Sequence, residues 1–315
     1  MILFSLLQAR TKRTTIGGQA LIEGLLMIGP EKRALVNRLP SGEIRIREEA
    51  VTPRPRLKRI PLLRGAVGII SQLKVGMAAL MESAELQEES ENPGDSPQSQ
   101  GTLGTTLTMV VSVAIGVGIF LLLPNLIVSS VLAWLGTSRE GLAAVLGANL
   151  AEALVRITIL LAYLYLTSRI PEMHRVWQYH GAEHKSIACY EAGQELTAAN
   201  IARYSRFHPR CGTSFLFLIV FVSALLFALV GWHGVVGNLL LRLALLPLVA
   251  GLSYEVLSFS GRHADSWYGR ALAAPGLLLQ RLTTAEPEED QITVAMTALI
   301  AVIPENHERD DWERR

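Results

Sequence analysis

The sequence has little charge, few aromatic residues and only two cysteines for a chain of 315 residues. Charged residues make up 18% and aromatic residues 6%, whereas hydrophobic residues make up 50%. Together with a mean hydropathy of +0.32, this balance favours an integral membrane protein over a soluble enzyme. A net charge of +1 provides no bulk attraction for a polyanion, so we expect no nucleic-acid partner.

Two cysteines, Cys189 and Cys211, are too few for a disulfide framework and favour a reducing compartment. The glycine-rich segment Gly17–Gly24 lacks Gly-Lys-Ser/Thr, which excludes a phosphate-binding loop, and no dinucleotide fingerprint is present. We expect its glycines to permit tight turns. The carboxylate of Glu23 is a candidate metal ligand, or a group that orients the ligands by hydrogen bonding. The apolar stretch Met1–Leu7 lacks the order of a secretory signal and is predicted to be a short anchor or packing segment.

Long apolar runs fill the middle of the chain. Four of them can cross a bilayer, which requires about 20 helical residues each. The predicted fold class is therefore mainly α, a polytopic membrane protein with about four transmembrane helices in two antiparallel hairpins. Pro124 is expected to kink or end the first run, because proline removes a helical hydrogen bond. The runs lie within Leu103–Leu135, Leu142–Thr167, Thr213–Trp232 and Val235–Phe259.

The distribution of basic residues predicts the orientation in the membrane. The region before the first run and the loop 168–212 carry many Lys and Arg residues, whereas the two short links between paired runs hold only Arg139. Basic residues are retained on the cytoplasmic side. We therefore expect a multi-pass protein of the inner (plasma) membrane, with the lipid bilayer as partner and both termini cytoplasmic.

Region 1–86 is predicted to be cytoplasmic. Within it, residues 33–51 alternate apolar and polar side chains around Pro40-Ser41-Gly42, which is typical of a β-hairpin. Residues 62–84 have an apolar stripe interrupted by charges and predict a helix that lies at the membrane interface without crossing. These elements would belong to a small cytoplasmic α+β part.

Three further regions complete the predicted organisation. Residues 87–101 are acidic and rich in Ser, Pro and Gly, which is typical of a disordered linker. Residues 102–260 would form the transmembrane domain, including the His-rich cytoplasmic loop. Residues 261–315 would form a cytoplasmic tail with a helix in Glu286–Ile303, because acidic residues open that segment and apolar residues follow.

The most informative segment is Tyr179–Lys185, a polar cluster between apolar runs. It contains the pattern His-x-x-Glu-His, in which His180 and His184 share one face of a helix. Two neutral imidazoles can bind Zn²⁺, and Glu183 could then act as the general base on a metal-bound water. Cys189 falls on the opposite face and is predicted to be a packed thiol. Gly181 lowers the helix propensity of this segment. A glycine here could instead serve to let a neighbouring backbone approach the helix closely.

The third ligand remains open between three residues. His208 and Cys211 form a second metal-type spacing just before the third span, and Glu255 lies near the cytoplasmic end of the fourth. Soft ligands exclude calcium and favour a divalent metal such as zinc. The alternatives are structural: histidines that hydrogen-bond to carboxylates or headgroups, a helix stop at Pro209, and an ion pair of Glu255 with Arg210 or Arg262.

Charged residues also lie inside two predicted spans. Glu152 and Arg156 are four residues apart and can neutralise each other on one helix, and Arg242 could reach them from the fourth span. Charged groups inside membranes are often functional, but an internal pair that fixes helix packing explains these residues equally well.

Five segments of this sequence resemble one bacterial family, the domain-of-unknown-function family 1385 of YqhQ-like membrane proteins. The resemblance covers about residues 17–303 and implies a membrane location and a predicted metal-dependent enzyme with no established reaction. The matching site positions are His180, Glu183, His184, His208 and Cys211, and Ala285 departs from the pattern where an Arg is expected. The segments are Gly17–Gly24, Tyr179–Lys185, His208–Phe215, Gly251–Glu255 and Pro275–Thr284.

These observations lead to a principal function and two rivals. The principal hypothesis is a metal-dependent hydrolase at the cytoplasmic membrane face, acting on a lipid-linked or membrane-protein substrate. The first rival is a non-enzymatic membrane scaffold or assembly factor whose polar clusters are structural. The second is a transporter, which four spans without a detectable repeat would form only as an oligomer.

Overall fold

The computed structural model describes residues 13–51, 60–91, 102–137, 141–231 and 233–311. The described chain is mainly helical, with one four-stranded antiparallel sheet near its N-terminus. Met1–Leu7 lies outside the described residues. The strands, in sheet order, are β1 (Gly17–Leu21), β2 (Gly24–Ile28), β3 (Lys32–Arg38) and β4 (Ile44–Ala50).

The sheet extends the single hairpin expected from the sequence. Strands β3 and β4 correspond to the predicted hairpin, whereas β1 and β2 occupy the glycine-rich segment for which only turns were expected. A two-residue loop, Ile22-Glu23, joins β1 to β2, and Glu23 has a positive φ of 48°. The glycines therefore serve strand pairing and close packing rather than turns alone.

The helices account for most of the remaining chain. A π-helical segment, Gly118–Leu122, joins α2 to α3, and a short 3₁₀ turn, His307–Asp310, follows the last helix. The helices are α1 (Leu63–Glu91), α2 (Thr102–Val117), α3 (Leu123–Trp134), α4 (Leu142–Thr167), α5 (Pro171–Glu191), α6 (Ala198–Ala202), α7 (Gly212–Val230), α8 (Gly234–Arg262), α9 (Trp267–Thr283) and α10 (Glu289–Val302).

Five helices among the described residues are long and apolar enough to span a membrane, which is compatible with a multi-pass membrane protein. Four coincide with the predicted spans, and the fifth is α1, for which a helix that does not cross was expected. Helices α3 and α4 pack together, α7 packs on α8, and α4 packs on α7. The first span is not broken at Pro124, because the π-helical turn before it lets the helix continue.

Helix α1 contacts two different parts of the molecule. Near its start, Arg64 forms a two-pronged ion pair with Glu255 of α8, and Gly65 lies where a Cβ atom would be 3.0 Å from Gly251 Cα. Near its end, Ala79 packs against the apolar face of the sheet, and the Ser83 hydroxyl lies within hydrogen-bonding distance of Asn37. The helix continues to Glu91, so the first residues of the predicted linker are helical, and residues 92–101 lie outside the described part.

Three separate segments of the chain share one core beside the membrane-type helices. The sheet contributes Met27 and Val36, α5 contributes Tyr179, and α10 contributes Val294 and Leu299. The backbone of Thr15 also hydrogen-bonds to Asp310 at 2.6 Å, which joins the two ends of the described chain. Helix α9, which the sequence analysis did not identify, follows α8 and leads from it to this core.

Candidate metal centre

Helix α5 carries the histidines, and its ends are well defined by local sequence. Pro171 occupies the first turn with Glu172 beside it, both favourable at a helix N-terminus. Gly193 has a φ of 67°, its N–H bonds to Tyr190, and the next N–H bonds to the Cys189 carbonyl. This glycine-dependent stop satisfies carbonyls that the helix end would leave unpaired. The last three turns of α5 are almost entirely buried.

The hydrogen bonds of the two histidines fix their ring orientation. His180 Nδ1 lies 2.7 Å from the Thr283 carbonyl, and His184 Nδ1 lies 2.6 Å from the Arg206 carbonyl. A carbonyl only accepts, so Nδ1 carries the proton in both rings and Nε2 keeps its lone pair in the neutral form. Metal-binding histidines are oriented in this way, because the second ring nitrogen is held by an acceptor.

Cys211 completes the cluster from the start of α7. Its Sγ lies 3.2 Å from His180 Nε2, and one ligand atom from each of His180, His184 and Cys211 lies within 4.8 Å of the others. Ligand atoms around a tetrahedral zinc are roughly 3.3–3.6 Å apart. The three residues therefore fit a metal after a small inward movement, and all three are buried.

The Cys211 side chain also caps α7. The Thr213 N–H donates to Sγ at 3.4 Å, and the Thr213 hydroxyl lies 3.1 Å from the same sulfur. The positive end of the helix dipole thus faces a ligand that binds metals as an anion. Because α7 is itself a candidate span, the cluster lies at the end of a membrane-type helix.

Glu183 lies beside the two histidines on α5 and is buried. Its Oε1 accepts a hydrogen bond of 2.8 Å from the Gly18 N–H of β1, and its Oε2 has no hydrogen-bond partner among the described residues. Burial raises the pKa of the Glu183 carboxyl, and the opposing effects of His180 and the Gly18 hydrogen bond are smaller. A buried carboxylate oxygen without a partner is costly unless another group reaches it.

His208 contacts the cluster differently. Its ring lies 5.5 Å from the His184 ring, its Nδ1 accepts from the Arg210 N–H at 3.3 Å, and its Nε2 faces Glu191 at 3.7 Å. Both ring nitrogens are therefore directed away from the group formed by the other three residues. Glu191 is fully buried, pairs with Arg210 and accepts from the Thr14 N–H at 2.8 Å.

Glu255 is not brought to the cluster. It pairs with Arg64, at 2.7 Å from Arg64 Nε, and accepts from the Leu62 N–H. Neither Arg210 nor Arg262 is its main partner, so the ion pairs considered from the sequence are replaced by one with α1. The Glu23 carboxylate accepts hydrogen bonds from Arg175 Nη2 at 2.6 Å and from the Tyr179 hydroxyl at 3.2 Å. Cys189 is a buried thiol that packs with Ile201 and Ile292, as expected from the sequence.

Two features of the site were not identified from the sequence. Gln280 of α9 is fully buried and holds the backbone of His208 through its amide, accepting from the N–H at 2.8 Å and donating to the carbonyl at 2.7 Å. Helix α9 also supplies the Thr283 carbonyl to His180. The only signal was the segment Pro275–Thr284, which carries part of the family resemblance but suggested no role by itself.

Comparison with known proteins gives the family but no reaction. Residues 60–305 match the family described as "Protein of unknown function (DUF1385)". The chain is 33% identical over 284 residues to "Uncharacterized protein YqhQ" of Bacillus subtilis (strain 168), with 89% of each chain covered. No solved structure matches the chain. This protein therefore belongs to the DUF1385 family.

Proposed function

We propose that this protein is a metal-dependent hydrolase, in which His180, His184 and Cys211 bind a divalent metal, zinc in the first instance. The observation that carries the proposal is the fixed orientation of the histidines: both Nδ1 atoms bond to carbonyls, so both Nε2 lone pairs remain for a metal beside the Cys211 sulfur. Three protein ligands leave a fourth position open, as in catalytic rather than structural zinc sites.

Glu183 is the proposed general base. When bound, the metal would polarise a water molecule and the group to be cleaved. Glu183 would take a proton through Oε2 and return it to the leaving group, while the Gly18 N–H holds Oε1 in place. The raised pKa of this carboxyl suits a group that must both accept and release a proton.

The substrate is proposed to be lipid-linked or a membrane protein, met at the cytoplasmic face of the inner membrane. Cys211 directly precedes α7, so a substrate held in the bilayer could present a bond near the cluster. The cytoplasmic placement of this side and of both termini rests on the basic residues of the N-terminal region and loop 168–212.

The first experiment measures metal in protein purified in detergent. Wild type is expected to carry about one zinc per chain, and His184→Ala and Cys211→Ser to lose most of it. Cys189→Ala and His174→Ala are matched controls, since Cys189 packs in an apolar cluster and His174 is exposed. Well-folded wild type without stoichiometric metal would defeat the proposal.

A scaffold is the second candidate, favoured by the way the cluster joins three regions. His180 and His184 lie on α5, Cys211 begins α7, and the Thr283 carbonyl ends α9. In a scaffold, the same contacts would hold the sheet-containing part against the membrane-type helices without any catalytic role.

Glu183→Gln separates the two candidates. Glutamine keeps an oxygen that can accept from Gly18 but cannot act as a base. The hydrolase proposal expects cellular function to be lost while metal content and thermal stability are kept. The scaffold candidate expects Glu183→Gln to function normally and His180→Ala to lower stability.

A further inference from the structure

A second group of polar side chains is buried among the membrane-type helices, and it shares no residue with the histidine cluster. It comprises residues from four helices, all 2–4% exposed. Residues of this kind within candidate spans are costly unless each finds a partner. The members are Asn125 of α3, Glu152 and Arg156 of α4, Ser223 of α7, and Arg242 of α8.

Glu152 forms an ion pair with Arg242 of α8. Its Oε2 lies 2.5 Å from Arg242 Nη2, and its Oε1 accepts from the Asn125 amide at 3.1 Å. The expected pair within α4 is therefore replaced by a pair between α4 and α8. The same carboxylate also lies close enough to Arg156 to act on its charge, so one negative charge faces two guanidinium groups.

Arg156 has hydrogen bonds but forms no ion pair of its own among the described residues. Its Nε donates to the Phe120 carbonyl at 2.8 Å, and its Nη1 donates to the Ser223 hydroxyl at 3.1 Å. Phe120 lies in the π-helical segment just before Pro124. Both acceptors are neutral, so they do not balance the charge of Arg156.

The buried group carries one positive charge in excess. Within α2–α4, α7 and α8 the only carboxylates are Glu152 and Glu255, and Glu255 is paired with Arg64 about 20 Å along α8 from Arg242. Arg156 Nη2 and Arg242 Nη1 are buried and have no hydrogen-bond partner among the residues that the structure describes. Both guanidinium groups lie near the Phe227 ring, at 5.7 Å and 5.0 Å from its centroid.

We propose that the Arg156–Arg242 pair binds a small inorganic anion, of the size and charge of chloride. One monovalent anion cancels the excess charge and accepts from guanidinium donors that have no acceptor in the described part of the chain. The burial of all five side chains favours a small anion over a lipid headgroup or an organic acid. This site is separate from the proposed metal centre and does not depend on it.

Thermal unfolding of the full chain in detergent tests the proposal directly. Protein in sodium gluconate is titrated with sodium chloride at constant ionic strength, and tryptophan fluorescence reports Tm. A bound anion predicts a saturable rise of about 2–5 °C. A second measurement, equilibrium dialysis with radioactive chloride, is expected to give about one chloride per chain. A flat or non-saturating response together with no bound chloride would overturn the proposal.

Two substitutions are expected to act in opposite directions. Arg156→Gln removes the excess charge and should abolish the chloride response. Glu152→Gln adds a second unneutralised guanidinium and should lower the half-saturating chloride concentration by about tenfold or more. Arg169→Gln, at an exposed position beyond the buried group, is the control and should respond like wild type. If Arg156→Gln keeps the wild-type rise of Tm with chloride, the proposed anion site is wrong. This comparison needs only Arg156→Gln and wild type, so it holds even if Glu152→Gln does not fold.

Discussion

At the scale of single residues, orientation distinguishes the histidine cluster from an ordinary polar core. His180 and His184 each donate Nδ1–H to a carbonyl from another segment, Thr283 and Arg206 respectively. His208 uses its nitrogens in other contacts and is directed toward Glu191. Three histidines close in space therefore differ: two keep an Nε2 atom that could bind a metal, and the third contacts Glu191 and the Arg210 backbone.

Gly181 illustrates how one residue positions the site. A Cβ atom at this position would overlap the Ala285 carbonyl oxygen, so α5 and the strand-like segment after α9 approach as closely as they do because residue 181 is glycine. The second interpretation offered by the sequence, close approach of a backbone, is the one that the structure supports.

Gly181→Ala is expected to be destabilising although alanine favours helices. The gain of about 1 kcal/mol in helix propensity is outweighed by overpacking against backbone, so we expect a net loss of roughly 1–2 kcal/mol. Metal content should fall as well, because His180 lies next to the displaced segment. Thermal unfolding and metal analysis of the purified variant measure both effects.

The control for this substitution is Gly116→Ala in α2, where a Cβ atom would meet nothing within 4 Å. It should be as stable as wild type or slightly more stable. A Gly181→Ala protein with wild-type Tm and full metal content would show that the close approach is not needed.

At the scale of elements, α1 connects the sheet to the membrane-type helices. Its N-terminal turn packs closely on α8, where Gly65 lies against Gly251. Its C-terminal half covers the sheet face formed by Leu21, Leu26 and Leu35. The sheet in turn packs on α5 and α10. The length and composition of α1 suit a span, so the expectation that it lies at the interface without crossing stays a prediction.

Gly251→Ala tests this contact between α1 and α8. A Cβ atom at Gly251 would lie 3.0 Å from Leu62 C and closer still to the Leu62 carbonyl oxygen, so α1 must move away. We expect a loss of about 1–3 kcal/mol in unfolding free energy, measured by thermal unfolding. Gly147→Ala in α4, where a Cβ atom meets nothing within 4 Å, should have no such effect. Equal stability of the two variants would contradict the packing.

The elements that sequence analysis located are those with strong periodicity or long apolar runs. The segment Leu142–Thr167 coincides with α4, and the alternating residues 33–51 correspond to β3 and β4. Helix α9 was missed because Pro275 interrupts its pattern, and β1 because glycines carry little strand signal. The spacing of His180, His184 and Cys211 in the sequence was enough to propose them as ligands. The choice of Cys211 over Glu255 was not predictable, because Glu255 pairs with Arg64, which lies 191 positions away in the sequence.

At the scale of the whole molecule, the contacts constrain the topology. The sheet precedes α1 in sequence and α5 follows α4, yet they share one core. Two candidate spans lie between α1 and α5, and together they return the chain to the side from which it started. A crossing by α1 would therefore place the sheet on the opposite side from α5. We therefore expect the sheet, α5 and α10 on one side of the membrane.

Single cysteine substitutions test this arrangement with a membrane-impermeant maleimide. Ser41→Cys in the β3–β4 turn and Glu195→Cys after α5 should be labelled only after cells are permeabilised, whereas His233→Cys between α7 and α8 should be labelled in intact cells. All three positions are exposed, and the native Cys189 and Cys211 are buried, so wild type is the low-background control. Labelling of Ser41→Cys and Glu195→Cys from opposite sides would exclude the shared compartment.

The proposed metal centre requires that nitrogen atoms of α5 and the sulfur of Cys211 bind the same metal ion. X-ray absorption at the zinc edge of the purified protein measures this arrangement. We predict a first coordination shell with one sulfur at ~2.3 Å and two imidazole nitrogens at ~2.0–2.1 Å, and no sulfur contribution from the zinc that Cys211→Ser retains. A well-folded wild-type protein that holds no zinc, or holds it in a shell without sulfur, would rule this metal centre out.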